Sequence, residues 1–478
     1  MSSSDLLEEV ERGPRGPRVG AFFDFDGTLI DGYSARVFYE DQIRRFELSP
    51  GQLARSAIAG LDMAVRGADV SQLVKVAVGN WAGHREQEVR ELFTRLFKER
   101  IAGMVYPEAR ELVRAHRKAG HTVVLASSAT RYQLDALAED LKVENVLCSE
   151  VEIVKGYFTG FVTGEVLWGD AKARAVEGFA NERRVDLERS FAYANGDEDV
   201  PFLKTVGNPR ALNPQEGLAR TARELGWPAS DLEGRGRPGI ADVVRTGAAL
   251  AGLGAAGALG VAVGVLTGDR RQGANVASAI GPDLALALAG VKINVTGEEH
   301  LWSDRPAVFI FNHQSSLDVA IIGALVRRDL TGVAKKEAAN DPRFAPIGYV
   351  VDVVYVDRSD SRQARAALKP VVDRIKSGMS IAIAPEGTRS PTPRLGPFKK
   401  GAFHLAMQAG VPLVPVVIRN AGDLMWRRSL VIRPGTVDVA VLKPITTDGW
   451  TVKGLAERVD DVRERFVRTL EEWQLSGS

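Results

Sequence analysis

The first half of the chain contains short apolar runs separated by longer stretches of mixed polarity. Three of these runs have the length and composition of buried strands: residues 19–24, 121–126 and 190–194. Before the second run, Pro107 and Gly120 lie where a helix typically begins and ends. This alternation of strands and helices predicts an α/β domain with a mainly parallel, Rossmann-like sheet over residues 19–227.

The segments around this sheet have other patterns. Residues 33–105, between the first two predicted strands, have a mostly helical pattern and are long enough for a separate helical cap. Residues 1–18 lack the apolar core of a secretory signal, and their Gly, Pro and Arg content predicts a mobile leader. Residues 228–245 begin with a Gly/Pro/Arg-rich stretch and are predicted to be a linker.

The pattern changes at residue 246. Residues 246–268 carry no charge over roughly 23 positions, about the length that crosses a bilayer core, although Gly and Ala make them weakly hydrophobic. A second apolar piece, 276–291, contains Asp283 and is too short for an easy crossing. We therefore predict a membrane-associating helical segment over 246–291, as a hairpin or a pair of interfacial helices. The alternative is a buried helical hairpin of a soluble protein.

Apolar runs that resemble strands return after this segment. They are residues 307–311, 351–357, 380–384 and 413–418. Helical stretches separate them, so the order predicts a second α/β domain over residues 292–478. Near its end, residues 455–473 place apolar side chains at helical spacing, which we interpret as core packing rather than a partner surface.

Charge and cysteine content narrow the classes of function. The 62 basic and 61 acidic residues nearly cancel, so no strong field indicates binding to nucleic acid. The single cysteine, Cys148, cannot form an internal disulfide, which favours a reducing compartment such as the cytosol.

Two aspartates follow the first predicted strand. Asp24 and Asp26, with Gly27 and Thr28 in a turn behind them, can divide the work of phosphate ester hydrolysis. Asp24 can attack phosphorus to form an aspartyl-phosphate, while Asp26 serves first as acid and then as base. Carboxylates that face a phosphate need Mg²⁺ to offset their charge. Alone, this motif could also be a surface turn.

Further polar residues follow the later strands. Ser127 can hold a phosphoryl oxygen, and Lys172 can balance developing negative charge. In this order the residues resemble the haloacid dehalogenase superfamily, specifically its phosphoserine-phosphatase-like branch, over about residues 19–227. The resemblance implies a Mg²⁺-dependent phosphatase in which Asp24 and Asp26 are catalytic and Ser127 and Lys172 bind the substrate.

The fourth block of this family departs here from the usual pattern. When Asp199 is aligned, Asn195 occupies the position that usually carries a metal-binding aspartate. The resemblance implies four ligands for Mg²⁺: Asp24, Asp26, Asn195 and Asp199. A neutral amide oxygen binds Mg²⁺ more weakly than a carboxylate. Two alternatives therefore stay open, an active phosphatase or a non-catalytic module that senses a phosphorylated metabolite.

His313 follows the apolar run 307–311 in the second half of the chain, and Asp318 comes five residues later. If a helix begins after this strand, Asp318 can turn back and hold one imidazole nitrogen of His313. The other nitrogen could then take a proton from an alcohol. For this pair alone, a structural histidine is the alternative.

Three more blocks accompany this pair. Residues 385–389 lead from a strand into a Gly turn with a hydroxyl and a guanidinium, which can form a phosphate cradle. Asp357 and Arg358 end another strand, and residues 411–416 are apolar. The four blocks together resemble the glycerolipid acyltransferase family, which includes the 1-acylglycerol-3-phosphate acyltransferases, over about residues 292–445.

This resemblance implies direct acyl transfer from a thioester to a lysophospholipid, such as lysophosphatidate. His313 is the expected base, and Asp318 orients it. Five residues are expected to form the acceptor site: Glu386, Gly387, Thr388, Arg389 and Arg358. The expected donor is acyl-CoA or acyl carrier protein, and the expected partner is a membrane, with both catalytic domains facing the cytosol.

The sequence thus predicts a bifunctional enzyme of phospholipid biosynthesis. Two hypotheses compete with this one. In the first, the acyltransferase carries a non-catalytic N-terminal module. In the second, an active phosphatase is anchored by an inactive acyltransferase-like domain.

Overall fold

Two separate sheets organise the chain, one in each half. The computed structural model describes six stretches: residues 2–45, 70–236, 238–335, 354–356, 369–427 and 429–473. They fall into two compact units, Met1–Gly236 and Arg237–Ser478. Each unit is a mixed α/β structure, which confirms the predicted fold class.

The first unit is built on seven strands. They are β1 (Gly20–Phe23), β2 (Thr122–Thr130), β3 (Asn145–Val154), β4 (Tyr157–Thr163), β5 (Phe191–Ala194), β6 (Asn208–Leu212) and β7 (Ala229–Ser230). Their order in the sheet is β4-β3-β2-β1-β5-β6-β7, and all neighbours are parallel except β3 and β4. All four residues of β1 are buried, because helices cover both faces at the centre of a parallel sheet.

The helices of the first unit begin with one that precedes the sheet. They are α1 (Ser3–Arg12), α2 (Ser34–Arg45), α3 (Val70–Gly79), α4 (Glu86–Glu99), α5 (Pro107–Lys118), α6 (Arg131–Leu141), α7 (Asp170–Arg183), α8 (Val200–Leu203) and α9 (Glu216–Leu225). Helices α2 to α4 lie in the region predicted to form a cap, of which residues 46–69 lie outside the described residues.

The N-terminal segment is not the mobile leader that we predicted. Residues 3–12 form α1, whose first turn is capped by reciprocal hydrogen bonds between Ser2 and Asp5. Leu6 and Val10 lie one turn apart and are buried, and Glu9 forms an ion pair with Arg210 of β6. The prediction was wrong because two apolar residues on one face suffice to dock a short helix.

The predicted linker also begins later than expected. Residues 229–230 form β7 at the sheet edge. The Leu232 amide donates to Asn213 at 2.6 Å, and the Arg235 guanidinium donates to the Gly103 carbonyl at 2.8 Å. Residues 229–235 therefore belong to the first unit.

A chain of buried hydrogen bonds fastens the N-terminal segment to the sheet. His121 Nε2 lies 2.7 Å from the Pro14 carbonyl oxygen, His121 Nδ1 lies 2.8 Å from His116 Nδ1, and His116 Nε2 lies 2.8 Å from the Tyr193 hydroxyl. A carbonyl only accepts, so His121 Nε2 must carry a proton. If both rings are neutral, His116 Nδ1 donates to His121 and Tyr193 donates to His116. Burial lowers the pKa of both histidines, and that of His116 lies well below its usual range.

The second unit has a comparable sheet. Its strands are β8 (Val291–Thr296), β9 (Val308–Phe311), β10 (Leu330–Lys335), β11 (Val354–Val356), β12 (Ser380–Ile383), β13 (Leu413–Ile418) and β14 (Gly435–Val441). Their order is β11-β10-β12-β9-β13-β14-β8, and only β13 and β14 are antiparallel neighbours. The central strands β9 and β13 are buried throughout.

The helices of the second unit continue the numbering. They are α10 (Ile240–Thr267), α11 (Arg270–Ala289), α12 (Leu317–Val326), α13 (Lys369–Lys376), α14 (Gly401–Ala409), α15 (Ala421–Leu424) and α16 (Leu455–Glu472). The apolar side chains of α16 pack into the core beside β13, as predicted.

Helices α10 and α11 form a hairpin. One stripe of α10 is buried: Thr246, Ala249, Gly252, Ala256 and Gly260. A Cβ atom on Gly260 would stand 2.6 Å from the Gly273 carbonyl oxygen, so glycine permits the close approach of the two helices. Helix α11 in turn packs its Ala285, Leu286 and Ala289 into the core of the unit. The hairpin therefore lies along the unit rather than projecting from it.

The outer side of α10 is apolar and exposed. This helix is long and apolar enough to cross a membrane. Its most apolar 18 residues have a mean hydropathy of 2.0, and only 22% of them are buried. Its exposed large apolar residues are Ile240, Val243, Val244, Leu250, Leu259, Val261, Val265 and Leu266. An apolar surface of this kind is typical of a contact with lipid or with another protein.

The histidine chain predicts how stability depends on pH. Both histidines have a lowered pKa in the fold, so they stay neutral while the unfolded chain takes up protons below about pH 6.5. Above that pH the two histidines should contribute their full stabilisation to the first unit. Below it, each histidine should cost about 1.4 kcal/mol per pH unit until its own pKa in the fold is reached, whereas Asp26 and Asp199, whose pKa values are raised, should offset part of this loss. Hydrogen exchange of α1 amides in the full chain measures this loss.

His116→Gln should lower the stability lost per pH unit by about 1.4 kcal/mol, because one of the two buried imidazoles is gone. His84 is exposed, so His84→Gln is the matched control and should leave the slope unchanged. Equal slopes in His116→Gln and wild type would contradict the proposed neutral chain.

Candidate active sites

The first candidate site lies where the central strands of the first sheet end. Strand β1 lies between β2 and β5. Asp24 and Asn195 directly follow β1 and β5, and Ser127 lies in β2 two residues beyond its last pairing with β1, at Leu125. The turn after Asp24 requires glycine, because Gly27 has φ +79° and a Cβ there would stand 2.2 Å from Asn195 Nδ2. The Ser127 hydroxyl accepts a hydrogen bond from the Ala129 amide at 3.2 Å.

Asp24 is held by a buried lysine. Lys172 Nζ donates to Asp24 Oδ1 and to Asp199 Oδ1, each at 2.7 Å. Burial disfavours the ammonium ion, but the two carboxylates outweigh it and raise the pKa of Lys172. Burial raises the pKa of Asp199, and Lys172 opposes that rise. The lysine thus fixes Asp24 at the end of the strand and balances its charge.

Asp26 faces another set of partners. Its carboxylate accepts from the Ser34 amide at 2.6 Å and from the Ser34 hydroxyl at 3.0 Å. Desolvation raises the pKa of Asp26 to about 7, the Ser34 bonds oppose this, and Asp24 adds to it. A carboxyl group with such a pKa can donate a proton near neutral pH and take it back later.

The oxygen atoms present fit a magnesium ion only in part. Asp24 Oδ2 and Asn195 Oδ1 lie 3.0 and 3.1 Å from the Thr28 hydroxyl, which can donate to only one of them. Two expected ligands have other partners, because Ser34 binds the Asp26 carboxylate and Lys172 binds Asp199. Within the described stretches, no group of three His, Cys, Asp or Glu side chains could hold a metal. Asp24 is also engaged, by Lys172 at Oδ1 and by Thr28 at Oδ2, so its remaining lone pairs and the Asn195 amide oxygen supply hard donors with a single negative charge.

The second candidate site begins at the end of β9. His313 Nδ1 lies 2.8 Å from Asp318 Oδ2, which is the contact that the sequence predicted. The Gln314 and Ser315 amides also donate to this oxygen, each at 2.8 Å. Asp318 is fully buried, while about a fifth of the His313 side chain is exposed. In a neutral His313 the Nδ1–H group donates to the Asp318 carboxylate. The lone pair that a general base needs is then on Nε2.

Glu386 has a different environment from the one we predicted. Its Oε1 accepts from the His313 amide at 2.8 Å, and its Oε2 accepts from the Ser390 hydroxyl at 2.5 Å and the Gly396 amide at 2.8 Å. The residue is buried. Glu386 therefore joins the histidine loop to the loop after β12, and both of its oxygens are already engaged by the protein.

The other predicted acceptor residues lie beside this glutamate. Gly387 has φ +75° in the turn, and Thr388 is exposed. Arg389 Nη1 donates to the Ser316 hydroxyl at 2.6 Å and to the Arg427 carbonyl at 3.0 Å. The guanidinium is thus held at Ser316, the residue before α12, which is three residues after His313 in the sequence. The remaining predicted residues, Asp357 and Arg358, lie outside the described residues.

Several site residues carried no signal in the sequence. Ser34 is the first residue of α2, a common position for serine, and only the fold brings it to Asp26. Ser316 likewise gains its role from a distant partner, Arg389, 73 residues away. Ser390 and Gly396 bind Glu386 from four and ten residues away, but neither position carries a recognisable pattern.

Comparisons with known proteins match both halves. The sequence model of the haloacid dehalogenase-like hydrolases matches residues 21–204, and that of the family described as acyltransferase matches residues 292–419.

Curated relatives follow the same division. A 1-acyl-sn-glycerol-3-phosphate acyltransferase from Saccharomyces cerevisiae is 34% identical over 227 residues, which cover 47% of this chain and 75% of the yeast protein. The enzyme of the same name from Limnanthes alba is 35% identical over 189 residues, 39% of this chain and 66% of the plant protein. Phosphoserine phosphatase SerB1 from Mycobacterium tuberculosis is 34% identical over 261 residues, 53% of this chain and 81% of that protein.

The bonds of Glu386 predict a loss of stability on substitution. Glu386→Gln replaces one carboxylate oxygen with an NH₂ group. That group cannot accept the hydrogen bonds that the N–H and O–H donors around Glu386 now make. The second unit should lose about 1–3 kcal/mol of unfolding free energy. Urea unfolding followed by hydrogen exchange in peptides of β9 and β12 measures it. Glu298→Gln, at an exposed position, is the matched control and should change nothing. Equal stability of both variants would mean that Glu386 does not hold the loops together.

Proposed function

Because this chain belongs to the haloacid dehalogenase-like hydrolases in its first half and to the 1-acyl-sn-glycerol-3-phosphate acyltransferases in its second, we propose that it is a bifunctional enzyme of phospholipid synthesis. The second unit transfers an acyl group from acyl-CoA or acyl carrier protein to lysophosphatidate and gives phosphatidate. The first unit is a phosphomonoester phosphatase.

The observation that supports acyl transfer most directly is the His313–Asp318 pair. His313 Nε2 takes the proton of the acceptor hydroxyl as that oxygen attacks the thioester carbonyl. The C–O bond forms, the C–S bond breaks, and the imidazolium returns its proton to the leaving thiolate. Asp318 stabilises the imidazolium through Nδ1. An acyl-enzyme is not needed, because the thioester is already activated.

Arg389 is our candidate for binding the phosphate of the acceptor. Ser316, three residues after His313 in the sequence, and Arg427 fix the orientation of its guanidinium. A guanidinium held in this way recognises a phosphate with directed hydrogen bonds. Gly387 and Thr388 shape the same turn. Glu386 supports this site from behind, since its own oxygens are occupied.

The first unit supports a phosphatase that uses Asp24 as the nucleophile. Lys172 orients this carboxylate, and Asp26 can protonate the leaving alcohol. Magnesium, when bound by Asp24 and Asn195, would neutralise charge on the phosphate. The alternative of a phosphate-sensing module is supported by the same Asn195, because it removes one negative charge from the metal site.

Membrane association is supported by α10. Its outer face is apolar over the length of the helix, while its inner stripe packs on α11. This arrangement favours a hairpin that lies on one leaflet over a single crossing, and it leaves both units on the cytosolic side.

Two substitutions in the full chain test the pair of activities. Labelled acyl transfer from acyl-CoA to lysophosphatidate should fall by a factor of at least about 100 in His313→Ala, because the general base is lost. Asp24→Asn should leave acyl transfer unchanged and abolish release of inorganic phosphate from phosphomonoesters. Acyl transfer by His313→Ala at the wild-type rate would overturn the assignment of the base. A parallel loss of acyl transfer in Asp24→Asn would favour the sensing module.

A further inference from the structure

The segment 425–434 of the second unit has an unusual composition for a connection. It joins α15 to β14 and contains no acidic residue. Of its three arginines, Arg427 and Arg433 are half-buried, and Arg428 lies outside the described residues. Leu430 is 63% exposed, and Trp426 is half-buried. Basic, aromatic and exposed apolar side chains together are typical of segments that lie in the head-group region of a bilayer.

This 425–434 segment is bonded to the membrane-associating helix on one side. The Ile432 amide donates to the Thr246 hydroxyl of α10 at 2.9 Å. Thr246 itself is buried, whereas Val243 and Leu250, about one turn away on either side, are exposed. The segment therefore lies beside the exposed apolar face of α10.

On its other side the segment is bonded to the acyltransferase site. The Ser315 hydroxyl donates to the Met425 carbonyl at 2.6 Å, and Arg389 donates to the Arg427 carbonyl at 3.0 Å. Ser315 also donates its amide to Asp318. One segment thus contacts the helix at one end and the groups that position Arg389 and the histidine loop at the other.

We propose that the 425–434 segment is a second membrane-contact surface whose partner is a bilayer containing anionic phospholipid, and that its seating on the bilayer holds Arg389 in place for the acceptor. The proposal rests on the proposed acyltransferase function and deepens it. The acceptor and product are themselves anionic lipids, so a basic surface beside the site raises their local concentration.

Binding to vesicles tests the surface directly. Leu430→Asp in the full chain should weaken co-sedimentation with equal mixtures of phosphatidylglycerol and phosphatidylcholine about tenfold, because an apolar contact is replaced by a negative charge. Val452→Asp is the matched control, since Val452 is 67% exposed and lies outside the segment. Equal weakening in both variants, or equal binding of wild type to phosphatidylcholine alone, would overturn the proposal.

Kinetics test the link to the site. Thr246→Val removes the hydroxyl that accepts from Ile432, so it should leave vesicle binding within about twofold and raise the KM for lysophosphatidate in vesicles about tenfold. Thr246→Ser should restore the wild-type KM. An unchanged KM in Thr246→Val would overturn the link. Absence of acyl transfer in wild type would instead count against the proposed function, and the vesicle experiment would still decide the surface.

A different set of bonds carries a second inference, in the first unit. Thr130 donates its amide and hydroxyl to Gln133 Oε1 at 2.9 and 3.0 Å, so the Gln133 amide nitrogen points to the Ser34 hydroxyl at 3.0 Å. The Ser34 hydroxyl accepts from Gln133 and keeps its own proton to donate to the ionised Asp26 carboxylate. The orientation of the Gln133 amide is fixed by the Thr130 N–H, and Ser34 is fully buried.

We infer that Ser34 and Gln133 are positioning residues that aim Asp26 at the leaving oxygen of the phosphomonoester. In that step the Asp24–phosphorus bond forms, the ester P–O bond breaks, and Asp26 gives its proton to the leaving alcohol. The inference rests on the proposed phosphatase function. A misaimed acid should matter only when the leaving group needs a proton.

Leaving-group dependence tests this inference. Ser34→Ala and Gln133→Leu should lose about 100-fold in kcat/KM on glycerol phosphate and less than about threefold in kcat/KM on 4-nitrophenyl phosphate, whose phenolate leaves unprotonated. The ratio kcat/KM excludes the later hydrolysis of the aspartyl-phosphate, in which Asp26 acts as base for both substrates. Gln87→Leu, at an exposed position, should leave both rates unchanged. Equal losses on both substrates would indicate a merely structural role and overturn the inference. Absence of hydrolysis of either substrate by wild type would show that the phosphatase proposal itself fails.

Discussion

The constraint on which both candidate sites depend is the direction of the central strands. In a parallel sheet the strand ends meet at one edge, and there the chain must leave the sheet with its polar groups satisfied. Asp24 follows β1 in the first unit, and His313 follows β9 in the second. Each of these strands lies inside its sheet, between two parallel neighbours. Residues far apart in sequence thus reach one small region without any long excursion of the backbone.

Buried charge is the second common element. Each key carboxylate accepts two or more hydrogen bonds from the protein: Asp24, Asp26, Asp318 and Glu386. A carboxylate without such donors would be costly to bury. The same bonds also set the orientation of the side chains. Motif residues can therefore act on each other as much as on a substrate, and Glu386 is the clearest example.

The sequence predicted those parts of the structure that depend on local pattern. The fully apolar β13 was predicted with its observed bounds, and the five-residue spacing of His313 and Asp318 predicted their contact. Strand β8 was missed because half of its residues are exposed, and α1 because only one turn-to-turn pair of apolar residues marks it. The Ser34–Gln133 hydrogen bond could not be predicted from the sequence, because its partners are 99 residues apart and only the fold brings them together.

Helix α11 belongs to two structures at once. It is the inner helix of the apolar hairpin, and it also supplies Ala285, Leu286 and Ala289 to the core beneath the second sheet. Gly260 and Gly273 leave no room between the helices for lipid or detergent. The hairpin is therefore not a detachable anchor. A fragment that begins at β8 would lose these three side chains and expose the core beneath the second sheet, so the second unit and its hairpin should fold as one body.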